Sequence, residues 1–475
     1  MTIHVLPDDA LVEIFSFYVN AQTSESDWRR LVHVCRRWRY VVFSSPHRLN
    51  LRLAYKGMRP LRTTLDTWPP LPLVILRQYK AGVDHKHYLL NRLWSSNIAA
   101  ALESGHDNRI SKIHLYSIPS SHWGKIAATM QKPFPELTSL TISALSTGAS
   151  PVLVIPDLFL GGSAPRLRSL QLRNCSFPGI QKLLLSANHL VTLHLGKIPD
   201  SGYISPQAMV TALSTMARLE SLHLEFLSPR LRPTAASRPP PPSVRLVLPA
   251  LTQLDFQGVH GYLEDLVTQI DAPLLSNFKV TFFMDPNFEV RQLHRFISHA
   301  EKFKKLDHAT VSVSNDAIAF FIPVPGYRVD SQLEIRCKRL DLQLSSLAQV
   351  FNSFLPLLST LEKLHIRESV IHYHPRWKDD IESTQWLRLL NPFTAVESLS
   401  VVNGSVRCVC DALKEVTDVL PALQSLFIWA LPHGPTRKPV GTFVAKRRLS
   451  GHPVSVYHRE GIQWKDVTQE LLSED

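Results

Sequence analysis

The chain has 475 residues, 44% of them hydrophobic and 19% charged, with 52 Lys and Arg against 40 Asp and Glu. That length exceeds one compact core, and that composition belongs to a folded chain rather than a disordered one. The apolar runs are too short to span a bilayer, so no membrane role is expected, and the net charge of +12 is spread thinly enough to read as solvated basic surface, not as a specific nucleic-acid site.

Three short helices come first. Leu6-Pro7-Asp8-Asp9 opens the first of them, with Pro7 suited to an initial turn and both aspartates complementing the positive end of the helix dipole. Leu11, Ile14, Phe15 and Tyr18 follow at helical spacing. A second helix carries Trp28, Leu31 and Val32, and a third carries Val34, Cys35, Trp38, Val41 and Val42 before Ser44-Ser45-Pro46. Leu6, Pro7, Phe15, Val34, Cys35 and Trp38 exceed what a fifty-residue core needs, so some should stay exposed for a partner or pack on the next domain. Asp8, Asp9 and Glu13 argue against a secretory signal. Cys35, Cys175, Cys337, Cys408 and Cys410 fit neither a disulfide framework nor a zinc spacing, which points to a reducing intracellular compartment, cytoplasmic and/or nuclear.

Leu6-Pro7, Leu11, Ile14-Phe15, Leu31 and the block Val34-Cys35-Arg36-Arg37-Trp38-Arg39, in this order and spacing, resemble the F-box motif. The resemblance implies that residues 1–50 form a three-helix unit docking on a Skp-type adaptor and, through it, a cullin. Its contacts would be Leu6, Pro7, Leu11, Ile14, Phe15, Val34, Cys35 and Trp38.

Residues 51–109 read as a linker and amino-terminal cap, with Trp68 to Leu76 as a first strand. From residue 110 a pattern recurs: apolar, two residues, apolar, one residue, apolar. It runs from Ile110-Ile113-Leu115 to Leu423-Leu426-Ile428 and includes a copy at Cys337-Leu340-Leu342, with starts 23 to 35 residues apart. Helix-like stretches lie between, such as Trp123-Ile126-Met130, Leu263-Leu266-Ile270 and Leu293-Phe296-Ile297. One strand and one helix per repeat predict an α/β fold: a curved leucine-rich-repeat solenoid over 110–430, with a parallel sheet on its concave face and helices outside. The Pro-rich stretch 229–243 interrupts it as an exposed insertion, most simply a stiff loop. Residues 431–475 read as a carboxy-terminal cap and tail, with Val440 to Val444 and Val454 to Tyr457 alternating like a capping strand. This array also resembles the irregular leucine-rich arrays of fungal F-box proteins.

Because strand side chains alternate, the residue between the last two apolar positions should face the concave side. That column reads His114, Thr141, Gln171, His194, His223 and Asp255, then Lys279, Thr310, Asp341, His365, Ser400 and Phe427. The expected substrate contacts on this face are His194, His223, Arg339, Arg367, Phe427 and Trp429: the arginines offer planar multi-donor charge, the aromatics apolar area. The capping tail could equally cover Phe427 and Trp429.

No Gly-x-Ser-x-Gly elbow, phosphate loop or His-Glu-x-x-His is present. His372-Tyr373-His374 lacks a further fixed metal ligand, and Cys408-Val409-Cys410 sits on a helix start with its thiols pointing apart. Neither an enzyme nor a cofactor or metal site is expected. The expected function is substrate recognition within a Skp–cullin–F-box ubiquitin ligase, with an unknown protein as substrate. The alternative is a non-catalytic interaction scaffold associated with nucleic acid through its basic excess and acting outside ubiquitination.

Overall fold

The computed structural model describes residues 5–21, 28–77, 90–145, 152–228, 244–285, 288–323, 331–368, 383–402, 405–416, 418–429, 437–460 and 463–473. The Pro-rich stretch 229–243 and the segment holding His372 and His374 lie outside them. The chain is mixed α/β, a helical amino-terminal region followed by long runs of parallel strands, and it divides into two compact units.

The first unit comprises residues 1–204 and 211–219. Its helices Asp8–Ala21, Trp28–Val32 and Arg36–Ser44 form where the apolar spacing places them, around buried Leu11, Phe15, Trp28, Leu31, Val32, Val41 and Val42. Trp28 ties this cluster to the next segment of the chain. Its indole N–H donates to the carbonyl of Arg52 at 2.8 Å, and its ring meets Trp68 edge-on at 5.2 Å. Six strands then pair in parallel and in chain order: Leu53–Tyr55, Leu73–Arg77, Ile110–Ile118, Ser139–Ala144, Ser169–Arg173 and Thr192–Ile198. The sheet therefore begins one strand earlier than the sequence suggests, because Leu53–Tyr55 is too short to carry the repeat pattern. The repeating Leu140, Leu170, Leu172, Leu193 and Leu195 are fully buried, which is what fixes the register.

The second unit comprises residues 205–210 and 220–475. Ser221–Phe226, Gln253–Gly258, Asn277–Phe283 and Ser331–Arg336 pair in parallel in that order. Ala317–Ile322 is antiparallel to Ser331–Arg336 and to His308–Val313, and Lys363–Glu368, Ser398–Val401, Ser425–Ile428 and Ser455–Glu460 resume the parallel order. Gln463–Asp466 closes the edge as an antiparallel partner of Ser455–Glu460. The helices pack on the buried side of this sheet: Tyr262, from the helix His260–Val267, stacks on Phe256 at 5.8 Å and meets Phe226 at 4.7 Å. Glu264 of the same helix accepts the backbone N–H groups of Gln292 and Leu293 at 2.9 and 2.8 Å, supplying acceptors to the first turn of the helix Arg291–His299.

Two expectations are corrected here. Cys337-Leu340-Leu342 is not a repeat strand, because Leu340–Ser353 is a helix. Leu344, Leu347, Ala348 and Phe351 are buried at helical spacing, and that stripe decides the segment. Val440 to Val444 is likewise no capping strand. Lys438–Leu449 is a helix that buries Val440, Phe443, Val444 and Arg447, again three and four residues apart; of the two expected capping stretches, the one within Ser455–Glu460 is the strand.

Candidate functional site

On the amino-terminal helices, Arg37 gathers the exposed apolar edge. Its guanidinium pairs with the Asp8 carboxylate at 2.7 Å and donates to the carbonyl of Leu6, pinning Leu6-Pro7 against the third helix. Cys35 caps that helix, its sulfur accepting the Trp38 backbone N–H at 3.4 Å. Trp38 is half-buried, with its ring 4.7 Å from Phe15. Pro7, Ile14 and Val34 are exposed and Leu6 is half-buried. Leu11 and Phe15, by contrast, are 0% and 1% exposed, so they build the core beneath this edge and cannot be contacts themselves. The structure adds Val5 and Phe17, exposed at 70% and 74%, as further apolar side chains in contact with water. Phe17 was legible, since it lies three residues beyond Ile14.

The second assembly is an aromatic group at the carboxy-terminal end of the second unit's sheet. His365, Ser400, Phe427 and Tyr457 stand in register on neighbouring strands. Phe427 is half-buried, stacked on Tyr457 at 4.9 Å and met edge-on by Trp464 at 5.1 Å. Trp429 keeps 38% of its surface exposed. Its indole N–H donates to the Ser400 hydroxyl at 3.1 Å, His365 stacks parallel to it at 6.0 Å, and the Arg459 guanidinium lies 4.2 Å from its ring. Arg367, two residues from His365 on the same strand, is exposed with its guanidinium 5.1 Å from the Phe321 ring. Burial, and then the Arg367 charge, hold the His365 imidazole below its ordinary pKa. The terminal hairpin thus covers Phe427 and completes a patch around Trp429 with Tyr457, Arg459 and Trp464. Those three residues lie past the last repeat, where the repeat pattern gives no signal.

The remaining candidates do not join that patch. Arg339 is the N-cap residue of the helix Leu340–Ser353, exposed and paired with Asp341 at 2.6 Å; the strand column that would have carried it does not exist. His194 lies in the first unit, in register with Gln171. His223 lies at the opposite end of the second unit's strand order, with Nδ1 3.1 Å from Asp255 and Nε2 3.8 Å from Glu225. Burial pulls its pKa down, but hydrogen bonds and charge from Asp255 and Glu225 outweigh that and leave it raised. A histidine whose folded pKa is raised contributes stability that is fully present below its unfolded value of about 6.5 and is lost as pH rises through the folded value. The loss of denaturation midpoint on His223→Gln is therefore expected to be larger at about pH 5.5 than at about pH 8.5. Equal losses at both would remove the ion pairs from the account.

Ser95 Oγ lies 2.6 Å from His122 Nδ1, yet Ser95 is 3% exposed on a helix, where no substrate could reach its hydroxyl. Burial pushes the Cys175 and Cys410 thiols up to about 12, which makes them poor nucleophiles. Among the described residues no group of three His, Cys, Asp or Glu could hold a metal ion, and no helix is long and apolar enough to cross a membrane.

Residues 3–49 match the F-box-like family. No curated protein matches the chain. Among solved structures, the chain is similar to the leucine-rich repeat-containing protein LegL7 from Legionella pneumophila, at 13% identity over 68% of this chain and 94% of that one, with a TM-score of 0.26.

Proposed function

We propose that the chain is the substrate-recognition adaptor of a Skp–cullin–F-box ubiquitin ligase. The F-box-like helices would dock on a Skp-type adaptor and the strand-bearing remainder would hold a client protein. The observation that carries this reading is the exposed apolar edge of the F-box-like unit. Pro7, Ile14 and Val34 stay in contact with water although the same helices bury Leu11, Phe15, Trp28 and Val42 completely. An exposed edge of this kind on an otherwise well-packed unit is a surface kept for a partner. The aromatic patch around Trp429 is the client surface in this reading, since an exposed tryptophan with an arginine against its ring has the composition of binding hot spots. The chain itself then performs no reaction; it positions one protein against another.

The direct test is co-expression with a Skp-type adaptor followed by size-exclusion chromatography. A stable one-to-one complex is expected. Separate elution of the two proteins at micromolar concentration would sink the adaptor role.

A further inference from the structure

A cleft of about 480 Å³ in the first unit is lined by Arg52, Arg166, Arg168 and Arg218, together with His189, Thr138 and Glu136. Six of these belong to one rim of the repeats. Glu136, Arg166, His189 and Arg218 directly precede the first leucine of a copy, at Leu137, Leu167, Leu190 and Leu219; Thr138 and Arg168 directly follow it. The register that sets Ser139 beside Ser169, and Ser169 beside Thr192, stacks neighbouring copies at about the 4.8 Å strand spacing. A periodic choice of residue in the sequence thus becomes a ladder of charge in space.

The ladder is not a by-product of a basic composition. The matching positions of the later copies are Ala250, Leu274, Lys305, Thr360, Ala395 and Ala422 before the apolar residue, and Thr252, Ser276, Asp307, Glu362, Glu397 and Gln424 after it. Those hold one cation and three carboxylates. In the cleft, Glu136 is paired with Arg166. Among the described residues no carboxylate pairs with Arg52, Arg168 or Arg218. Arg52 donates only to the Asn50 amide oxygen, at 3.2 and 3.3 Å, while its Nη1 is buried without a partner. Unneutralised guanidiniums sharing one cleft repel each other, and an anion there relieves the repulsion.

The donors also say which anion. The backbone N–H groups of Thr138, Arg168, Ser169, Val191 and Thr192 already donate to the carbonyls of Ser111, Thr138 and Arg168. No backbone cradle of the kind that surrounds a single phosphate is left. What remains is a row of planar, two-pronged side chains, suited to carboxylates presented one after another. An extended peptide places same-side side chains about 7 Å apart, between one and two strand spacings. We propose that this cleft binds an Asp/Glu-rich segment of a client protein, as a contact separate from the aromatic patch. The proposal rests on the adaptor reading only in taking the ligand to be a protein.

The test is fluorescence anisotropy of the full chain with a labelled peptide of alternating Asp and Glu, against its Asn/Gln counterpart. The acidic peptide should bind and the neutral one should not. An Arg168→Glu, Arg218→Glu variant should lose at least about tenfold in affinity, and Arg168→Lys, Arg218→Lys should fall between, since lysine keeps the charge but not the fork. Arg168 and Arg218 are both exposed, so the variants keep the core. Unchanged binding in the charge-reversed variant, or equal binding of both peptides, overturns the proposal. So does tighter binding of duplex DNA, or of a phosphoserine peptide when the acidic peptide fails, each of which gives the cleft to another ligand. Capture of the Skp-type adaptor is followed in the same samples. If it fails while the acidic peptide still binds, the adaptor role falls and the cleft stands.

Discussion

An Ile14→Asp, Val34→Asp double variant is expected to lose capture of the Skp-type adaptor while staying folded. Ile14 is 44% exposed and Val34 58% exposed, so in the free chain their replacement leaves no cavity. At a docked interface the same two carboxylates would be stripped of water with no partner, a cost of several kcal/mol by order of magnitude. Truncating an interface anchor typically costs about 2 kcal/mol, roughly thirtyfold in affinity, so introduced charge should exceed that. Pro7→Ala with Trp38→Ala addresses the same edge less cleanly. The Trp38 ring packs 4.7 Å from buried Phe15, and its loss would loosen the three-helix unit as well as the surface. Circular dichroism and the thermal midpoint separate the two effects. A folded Ile14→Asp, Val34→Asp protein that still co-elutes with the adaptor at wild-type affinity removes this edge as the interface.

What the sequence makes legible is whatever burial repeats. Leu140, Leu170, Leu193 and Leu222 recur because each fills the same place in successive copies, and all are 0% exposed. The F-box-like helices were readable for the same reason. Exposure within them was not. Leu11 and Phe15 lie one helical turn apart and face inward, whereas Ile14 stands about 100° from Phe15 on the flank, and an apolar side chain alone does not say which side of that boundary it occupies. The copy at Cys337-Leu340-Leu342 shows the opposite failure. Three apolar residues met a short template by chance at the edge of a longer helical stripe, and the true strand, Ser331–Arg336, turns Ser331, Leu333 and Ile335 inward, only two of them apolar. It pairs with the apolar run Ala317–Ile322, an antiparallel insertion that no 23- to 35-residue period encodes. The arginine ladder lies in the residues flanking the first apolar position of each copy, not in the column between the last two.

The proposed client surface gives the second large effect. An Arg367→Ala, Trp429→Ala variant should retain the Skp-type adaptor and lose specific client proteins in affinity purification under proteasome inhibition. Trp429 is the better anchor of the two. It offers exposed aromatic area, yet its indole N–H is held by Ser400 and its faces by His365 and Arg459, so little rotamer freedom remains to be lost on binding. Removing such a pre-ordered aromatic from the centre of an interface costs about 2 kcal/mol or more, enough to empty a purification of a client bound at micromolar strength. Arg367, with its guanidinium over the Phe321 ring, supplies a fork of donors on the same sheet face. Phe427 is left in place because Tyr457 and Trp464 cover it, and its loss would free the terminal hairpin rather than a binding surface. Arg339→Ala serves as the control: it is equally cationic and exposed, but it sits on a helix cap and answers to Asp341. Client recovery should follow the Arg367, Trp429 variant and ignore Arg339→Ala. If both variants recover the same clients as wild type, recognition lies away from this patch, and the arginine cleft of the first unit becomes the surface to test alone.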